Sequence, residues 1–139
     1  MVIEWAKNSR ERYEWDGEGF RKKLEDLPAP VNYGFVPGTL NPADGSEVDA
    51  ALLGPPVAPK ARYEGELVGA VTLADGDHKL ILSPGGRPPS EEEIRALLSW
   101  FEAIRAPRLI GKEEAERLFL GIFGREGEDG RGGQSSSTP

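Results

Sequence analysis

Asp44 and Asp49 stand five residues apart, on either side of the turn Gly45-Ser46-Glu47. They follow directly on the aromatic and glycine-rich run Asn32-Tyr33-Gly34-Phe35-Val36-Pro37-Gly38-Thr39-Leu40. Two carboxylates this close in a loop repel each other unless a cation lies between them. A hard divalent ion such as magnesium meets that need, because it takes oxygen ligands and keeps waters available for chemistry. By itself the pair also reads as a solvated acidic turn, since Asp-Gly is a common turn former. A calcium EF-hand does not fit, because the later ligands and the closing glutamate are misplaced.

The run resembles the signature of the soluble (family I) inorganic pyrophosphatases, whose acidic loop reads D-G-D-P-x-D. The likeness extends along the chain. Ile3-Glu4-Trp5-Ala6-Lys7-Asn8-Ser9-Arg10-Glu11-Arg12-Tyr13-Glu14-Trp15-Asp16 is similar, without a gap, to the family's N-terminal segment. Asp75-Gly76-Asp77-His78-Lys79 stands in place of its second acidic loop, which ends D-x-K, and Trp100-Phe101-Glu102 in place of a helical aromatic pair. Ordered matches over residues 2 to 105 are more specific than any single pattern.

The resemblance implies a mainly β fold with α-helices: a five-stranded OB-like β-barrel flanked by two C-terminal helices. It implies magnesium, with manganese as the alternative ion, bound by Asp44, Asp49 and Asp77, with Asp75 helping a further ion and Glu14 acting through water. Arg12, Arg21, Lys79 and Arg105 are the implied phosphate contacts. Asp49, Tyr33, Ser46 and Glu47 form the implied catalytic group, and Glu4 organises the edge of the site. The implied substrate is inorganic pyrophosphate or a related phosphoanhydride, and the implied assembly is a homo-oligomer, with a hexamer as one form. For Arg12 and Glu14 the plain alternative is a cross-strand ion pair on an exposed face.

Hydrolysis of a phosphoanhydride needs neutralised phosphate oxygens, an activated water and an in-line approach, and metals bridged by carboxylates supply these. Ser46 stands where the family has the aspartate credited as base. A hydroxyl hydrogen-bonds water but takes no proton from it near neutral pH. The expectation is a slower enzyme whose rate rises at alkaline pH, with Glu47 as a substitute carboxylate one residue away. The alternative is a metal-dependent binder of pyrophosphate, polyphosphate or a nucleotide that does not turn over; a third is a purely structural OB barrel. Ala29 and Ile104 replace tyrosines and Arg105 a lysine, and the second acidic loop is shortened.

The elements that must position these residues are short. Val2 to Trp5 and Arg12 to Trp15 alternate apolar and polar residues as strands do, and Gly19 to Leu24 returns after the turn Asp16-Gly17-Glu18-Gly19. Ala50 to Leu53, Tyr63 to Leu73 and Lys79 to Leu82 are further strand segments, with Leu67, Gly69, Val71 and Leu73 expected on one face. Eighteen glycines and twelve prolines favour such a strand-rich body. Ser90 with Glu93 forms a capping box, and Ile94, Leu97, Leu98, Phe101 and Ile104 make a helical stripe that ends at Pro107. A second helix is expected from Lys112 to Phe123. Residues 1 to 123 then form one domain, and the low-complexity stretch 124 to 139 a disordered tail. His78 reads as a turn residue.

A net charge of -7 argues against a nucleic-acid partner, which needs a basic face. The absence of cysteine excludes thiolate metal sites and fits a reducing compartment. No apolar run reaches the ~20 residues that span a bilayer, so no membrane partner is expected and the cytoplasm is the expected location.

Overall fold

The computed structural model describes residues 1–120. Eight strands pair into one mixed sheet: β1 (Val2–Trp5), β2 (Glu11–Trp15), β3 (Phe20–Leu24), β4 (Asn32–Val36), β5 (Val48–Leu52), β6 (Glu66–Thr72), β7 (Lys79–Ser83) and β8 (Arg108–Ile110). Two helices follow the seventh strand, α1 (Glu91–Trp100) and α2 (Lys112–Leu118). The mainly β fold with two helices is therefore as expected, but the five-stranded barrel is not what the pairing shows. The order is β3-β2-β1-β4-β5-β7-β6-β8, an open series with β3 and β8 at its ends. Closure stops at a short contact: residues 60–63 hydrogen-bond to Met1 and Ile3 along the edge of β1 that Trp5 shares with β2. The β2–β3 hairpin takes the rest of that edge.

All neighbours are antiparallel except β5 and β7, which run parallel with Ala50 beside Leu80 and Leu52 beside Leu82. The crossover strand β6 pairs with β7 on its far side. Parallel strands start at the same end of a sheet. The acidic loops that lead into β5 and β7 therefore emerge together.

Both faces of the central strands are covered. On one face Ile3, Val48, Ala50, Leu52, Leu80 and Leu82 pack with Ala115 of α2. On the other, Ala51, Leu53, Val71, Leu73 and Ile81 pack with Leu97 of α1. Strands buried on two sides read as continuous apolar runs, which is why β5 and β7 show little alternation. The expected single face for Leu67, Gly69, Val71 and Leu73 is broken. A bulge between Leu67 and Gly69 sends Leu67 to the α2 face while Val71 and Leu73 meet α1. One extra residue reverses the alternation.

The Ser90–Glu93 capping box forms as expected, and Arg87 adds a two-pronged ion pair to Glu93. The helical stripe runs shorter than its periodicity. Phe101 is already extended, residues 103–105 form a 3-10 turn, and Ile104 is 87% exposed rather than packed. Ala106 takes a left-handed conformation before Pro107, whose ring disfavours helix in the preceding residue. α2 closes at Leu118, and residues 121 to 139, which include the end of the expected second helix and the expected tail, lie outside the described residues. Among the described residues no helix is long and apolar enough to cross a membrane.

Two strands were not anticipated. β8 is only three residues long, and β4 lies in the aromatic and glycine-rich run, to which the sequence pattern assigns no element. Gly34 explains the second case. It pairs with Ile3, and a Cβ at this position would overlap the carbonyl oxygen of Val2. The glycine is what lets β4 pass β1 at this separation. Gly34→Ala should therefore destabilise the fold by about 3 kcal/mol or more, in the range of backbone clashes in a core; denaturant unfolding would measure it, and a loss under about 1 kcal/mol would show that β1 moves aside freely.

Candidate active site

Asp49, on β5, faces the cross-strand neighbours that its register provides. Its Oδ2 accepts a hydrogen bond from the Tyr33 hydroxyl of β4 at 2.8 Å and another from Lys79 Nζ of β7 at 2.9 Å. The reach from Tyr33 is diagonal, since Phe35 is the residue directly opposite Asp49. Lys79 lies one residue before the Ala50–Leu80 pair, abreast of Asp49. The same ammonium donates to Asp77 Oδ2 at 2.9 Å, and the Lys79 side chain is only 6% exposed. A nearly buried cation thus ties the two acidic loops together.

The loops themselves are closed by short-range bonds. The backbone N–H of Ser46 donates to Asp44 Oδ1 at 2.9 Å, and that of Asp77 to Asp75 Oδ1 at 3.0 Å. His78 Nδ1 accepts from the Leu73 N–H at 3.0 Å, which closes the second loop, so this histidine is a turn residue. Arg105 arrives from the 3-10 turn after α1. It donates from Nε to Asp75 at 2.9 Å and from its guanidinium to Asp77 at 3.4 Å, beside the Phe101 ring. The bond from the Asp77 backbone, then Arg105, hold the Asp75 carboxyl below its usual value.

A cleft of about 300 Å³ opens on the other side of Asp49. Its walls carry Glu4, Arg12, Glu14, Asp16, Arg21, Asp44, Ser46, Glu47 and Asp49. Glu4, on β1, accepts from the backbone N–H of Trp15 at 2.7 Å. Burial pushes its carboxyl up to about 6, and the charges of Asp49 and Glu14 push the same way. Arg12 lies over the Trp5 ring, 5.1 Å from its centre, within 3.5 Å of both Glu14 and Glu25. Arg12 and Glu14 share β2, so their contact runs along the strand; the cross-strand pairing expected as the plain alternative is made instead by Glu14 with Lys23 of β3 at 3.9 Å. Arg21 pairs with Asp16 at 3.2 Å and is largely exposed.

The sequence-predicted residues thus fall into two groups that share Asp49. Asp44, Glu14, Arg12, Arg21, Ser46 and Glu47 line the cleft with it. Tyr33, Lys79, Asp77, Asp75 and Arg105 form the hydrogen-bonded chain behind it. Asp44 and Asp77 are not in contact. They meet through Asn41, a residue that sequence reasoning passed over as loop: its side-chain amide donates to Asp77 Oδ1 at 2.8 Å, and its backbone carbonyl accepts from Gly45 at 2.8 Å. Its place before Pro42, inside the acidic stretch, was the only signal.

The donor set of the cleft consists of carboxylate oxygens, which suits a hard dication such as magnesium rather than a thiolate- or imidazole-seeking metal. Among the described residues no three acidic or histidine side chains converge closely enough to hold an ion together. The chemistry of the ligands fits, and the carboxylates as placed leave Lys79 as the cation between Asp49 and Asp77.

Behind the chain of bonds lies an aromatic wall. Trp100 at the end of α1 meets Tyr33 edge-on at 5.1 Å and Trp5 at 5.4 Å, with Ala29 buried in the same cluster. Burial first, then Asp49, hold the Tyr33 phenol well above its usual value, so it remains a proton donor to Asp49.

The family model for inorganic pyrophosphatase matches residues 1–114. The inorganic pyrophosphatase of Aeropyrum pernix is 36% identical over 93 residues, which cover 60% of this chain and 52% of that protein. That of Helicobacter pylori strain 26695 is 38% identical over 94 residues, covering 60% and 53%. The chain spans about half the length of these curated relatives in the matched region. The crystal structure of inorganic pyrophosphatase from Ehrlichia chaffeensis has a TM-score of 0.75 at 24% identity, over 87% of this chain and 90% of that one. The structure of the Helicobacter pylori enzyme has a TM-score of 0.67 at 25% identity, over 91% of each chain. With the matched model spanning most of the described residues and the fold shared with these structures, the chain belongs to the inorganic pyrophosphatase family.

Proposed function

We propose that this protein hydrolyses inorganic pyrophosphate, or a closely related phosphoanhydride, with magnesium or manganese as its metal. The observation that carries the reading is the cleft on Asp49, where carboxylates of three strands and the first acidic loop face Arg12 and Arg21. Asp44, Asp49 and Asp77, which do not converge as placed, would have to draw together to hold an ion, with Asp75 helping a further one and Glu14 acting through water. Such an ion would neutralise phosphate charge and lower the pKa of a bound water towards ~7. The reading extends to a homo-oligomer, with a hexamer as one form, working in the cytoplasm, and to residues 1 to 123 as the working domain with 124 to 139 as a tail.

The chain's own residues supply the remaining parts. Arg12 and Arg21 offer guanidinium forks to phosphate oxygens from the strand pair β2–β3. Tyr33 and Lys79 both bind Asp49 Oδ2, which leaves Oδ1 turned away from them as the free oxygen. Ser46 orients water without taking its proton, and Glu47 lines the same cleft as the nearest replacement carboxylate. General-base help is worth ~10²–10⁴-fold, so its loss slows hydrolysis and leaves a metal-activated route in place.

Phosphate release from pyrophosphate with magnesium or manganese tests the reading directly. The rate is expected to be low at neutral pH and to climb as the medium becomes alkaline, and Ser46→Asp should raise the neutral rate by ~10²-fold. Tight binding of a non-hydrolysable diphosphonate without any phosphate release would instead favour the binder.

Lys79→Met removes the cation between Asp49 and Asp77. Stranding partly buried carboxylates should cost about 2–3 kcal/mol, just below the ~3–5 kcal/mol of broken pairs that are fully buried. Added magnesium should recover part of that loss in a thermal melt; no recovery would mean that no ion enters between them.

Glu4 makes a separate pH signature. Its folded value of about 6 lies above the ordinary 4.5, so the folded state holds that proton more tightly than the unfolded chain. Its contribution is fully present below 4.5 and is lost as pH rises through about 6. Glu4→Gln should flatten the decline in melting temperature across this window, and an unchanged slope would show that Glu4 titrates normally.

A further inference from the structure

Asn41 is fully buried, and every polar group it carries is engaged with one acidic loop or the other. Its backbone N–H donates to the Ser46 carbonyl at 2.7 Å, and its backbone carbonyl accepts from Gly45 at 2.8 Å and Asp44 at 3.3 Å. Its side-chain oxygen accepts from the Ala43 N–H at 3.0 Å. These bonds close the loop that carries Asp44 and Ser46 into a compact ring. The one outward bond is from Nδ2 to Asp77 Oδ1 at 2.8 Å.

That bond is directional in what it leaves available. Asp77 Oδ2 is taken by Lys79, with Arg105 near, and Oδ1 by Asn41, so both oxygens of this carboxylate are fixed from different sides. A neutral amide is suited to the role, because a carboxylate at position 41 would repel Asp77 and an ammonium would compete with an incoming ion. Thr39 supports the same ring from its base, donating from its hydroxyl to the Val36 carbonyl and accepting from the Val48 N–H at 2.9 Å.

We infer that Asn41 is a positioning residue: it sets the separation between the Asp44 loop and Asp77, and through that separation the affinity for the divalent cation. The metal part of this inference rests on the function proposed above, whereas the mechanical coupling of the two loops does not. An amide hydrogen bond to a charged group is the stronger kind, so its loss is felt at both ends.

The test uses the full chain with Asn41→Ser, which keeps a short oxygen near the Ala43 N–H but no longer reaches Asp77. In the metal-free protein, the backbone amide resonances of Asp75, Gly76 and Asp77 should move along with those of residues 43 to 46. Calorimetric titration with magnesium should then give a Kd raised by ~10-fold, the equivalent of about 1.4 kcal/mol. A purely structural role would lower the melting temperature, leave the 75–77 resonances in place and leave the magnesium affinity of the folded variant unchanged; either unchanged reading overturns the inference. If the wild-type chain binds no magnesium, the proposed function fails, and the loop coupling is judged by the metal-free resonances alone. Should the serine variant not fold, Asn41→Asp keeps the volume and the acceptor, and its carboxylate should displace the 75–77 resonances further; unmoved signals would again overturn the coupling.

Discussion

The parallel pairing of β5 with β7 places negative charge on negative charge, and the rest of the site follows from how that is borne. Asp49 and Asp77 each bring an oxygen within 2.9 Å of Lys79 Nζ, so those oxygens are at most about 6 Å apart. At an effective dielectric of about 20 their repulsion is about 3 kcal/mol, while each contact to the ammonium is worth roughly twice that in Coulomb terms. The ammonium wins, and with its side chain almost wholly covered it has little freedom to leave. Arg105 performs the same service for Asp75, from a turn that exists only because α1 stops early.

This electrostatic arrangement connects the fold to the chemistry. The cleft gathers carboxylates from β1, β2, β5 and the first acidic loop, and the burial of Glu4 beside them raises its proton affinity. Burial is the main cause of that rise, and the smaller push from the charges of Asp49 and Glu14 is the part of it that also favours cations. The substrate proposed above is strongly anionic, and the same field would repel it until cations are in place. The arginines on β2 and β3 are paired with acidic residues, so they hold little uncompensated positive charge in this state.

Rigidity around Asp49 comes from two unlike sources. On one side Tyr33 is held by the edge-on contact with Trp100 and by burial with Trp5 and Ala29. On the other, Asn41 fixes the loop that carries Asp44 through backbone bonds that need no side chain but its own. The small Ala29 belongs to the aromatic cluster, where Trp100 packs across Tyr33 and Trp5. Side chains that differ from the family pattern at positions 29 and 104 are therefore accounted for differently: Ala29 is part of the packing, and Ile104 projects into solvent.

The residue types and their order determined much of this protein. The spacing of Asp44 and Asp49, the D-x-K ending at Lys79 and the capping box at Ser90 named a family, a strand-rich body with two helices and most of the cleft residues, because each is a local pattern with a local physical cause. Contacts between distant segments were beyond such patterns. The bulge at Leu67, the open sheet order, the strand at Gly34 and the placement of Arg105 on Asp75 depend on which backbone passes beside which. Only the tertiary structure could decide that Lys79 faces two aspartates at once, and that Asn41, an unremarked loop residue, joins both acidic loops. Hydrogen bonds and ion pairs of this kind act over about 3 Å in space, and the residues they join here lie 30 and 36 positions apart along the chain.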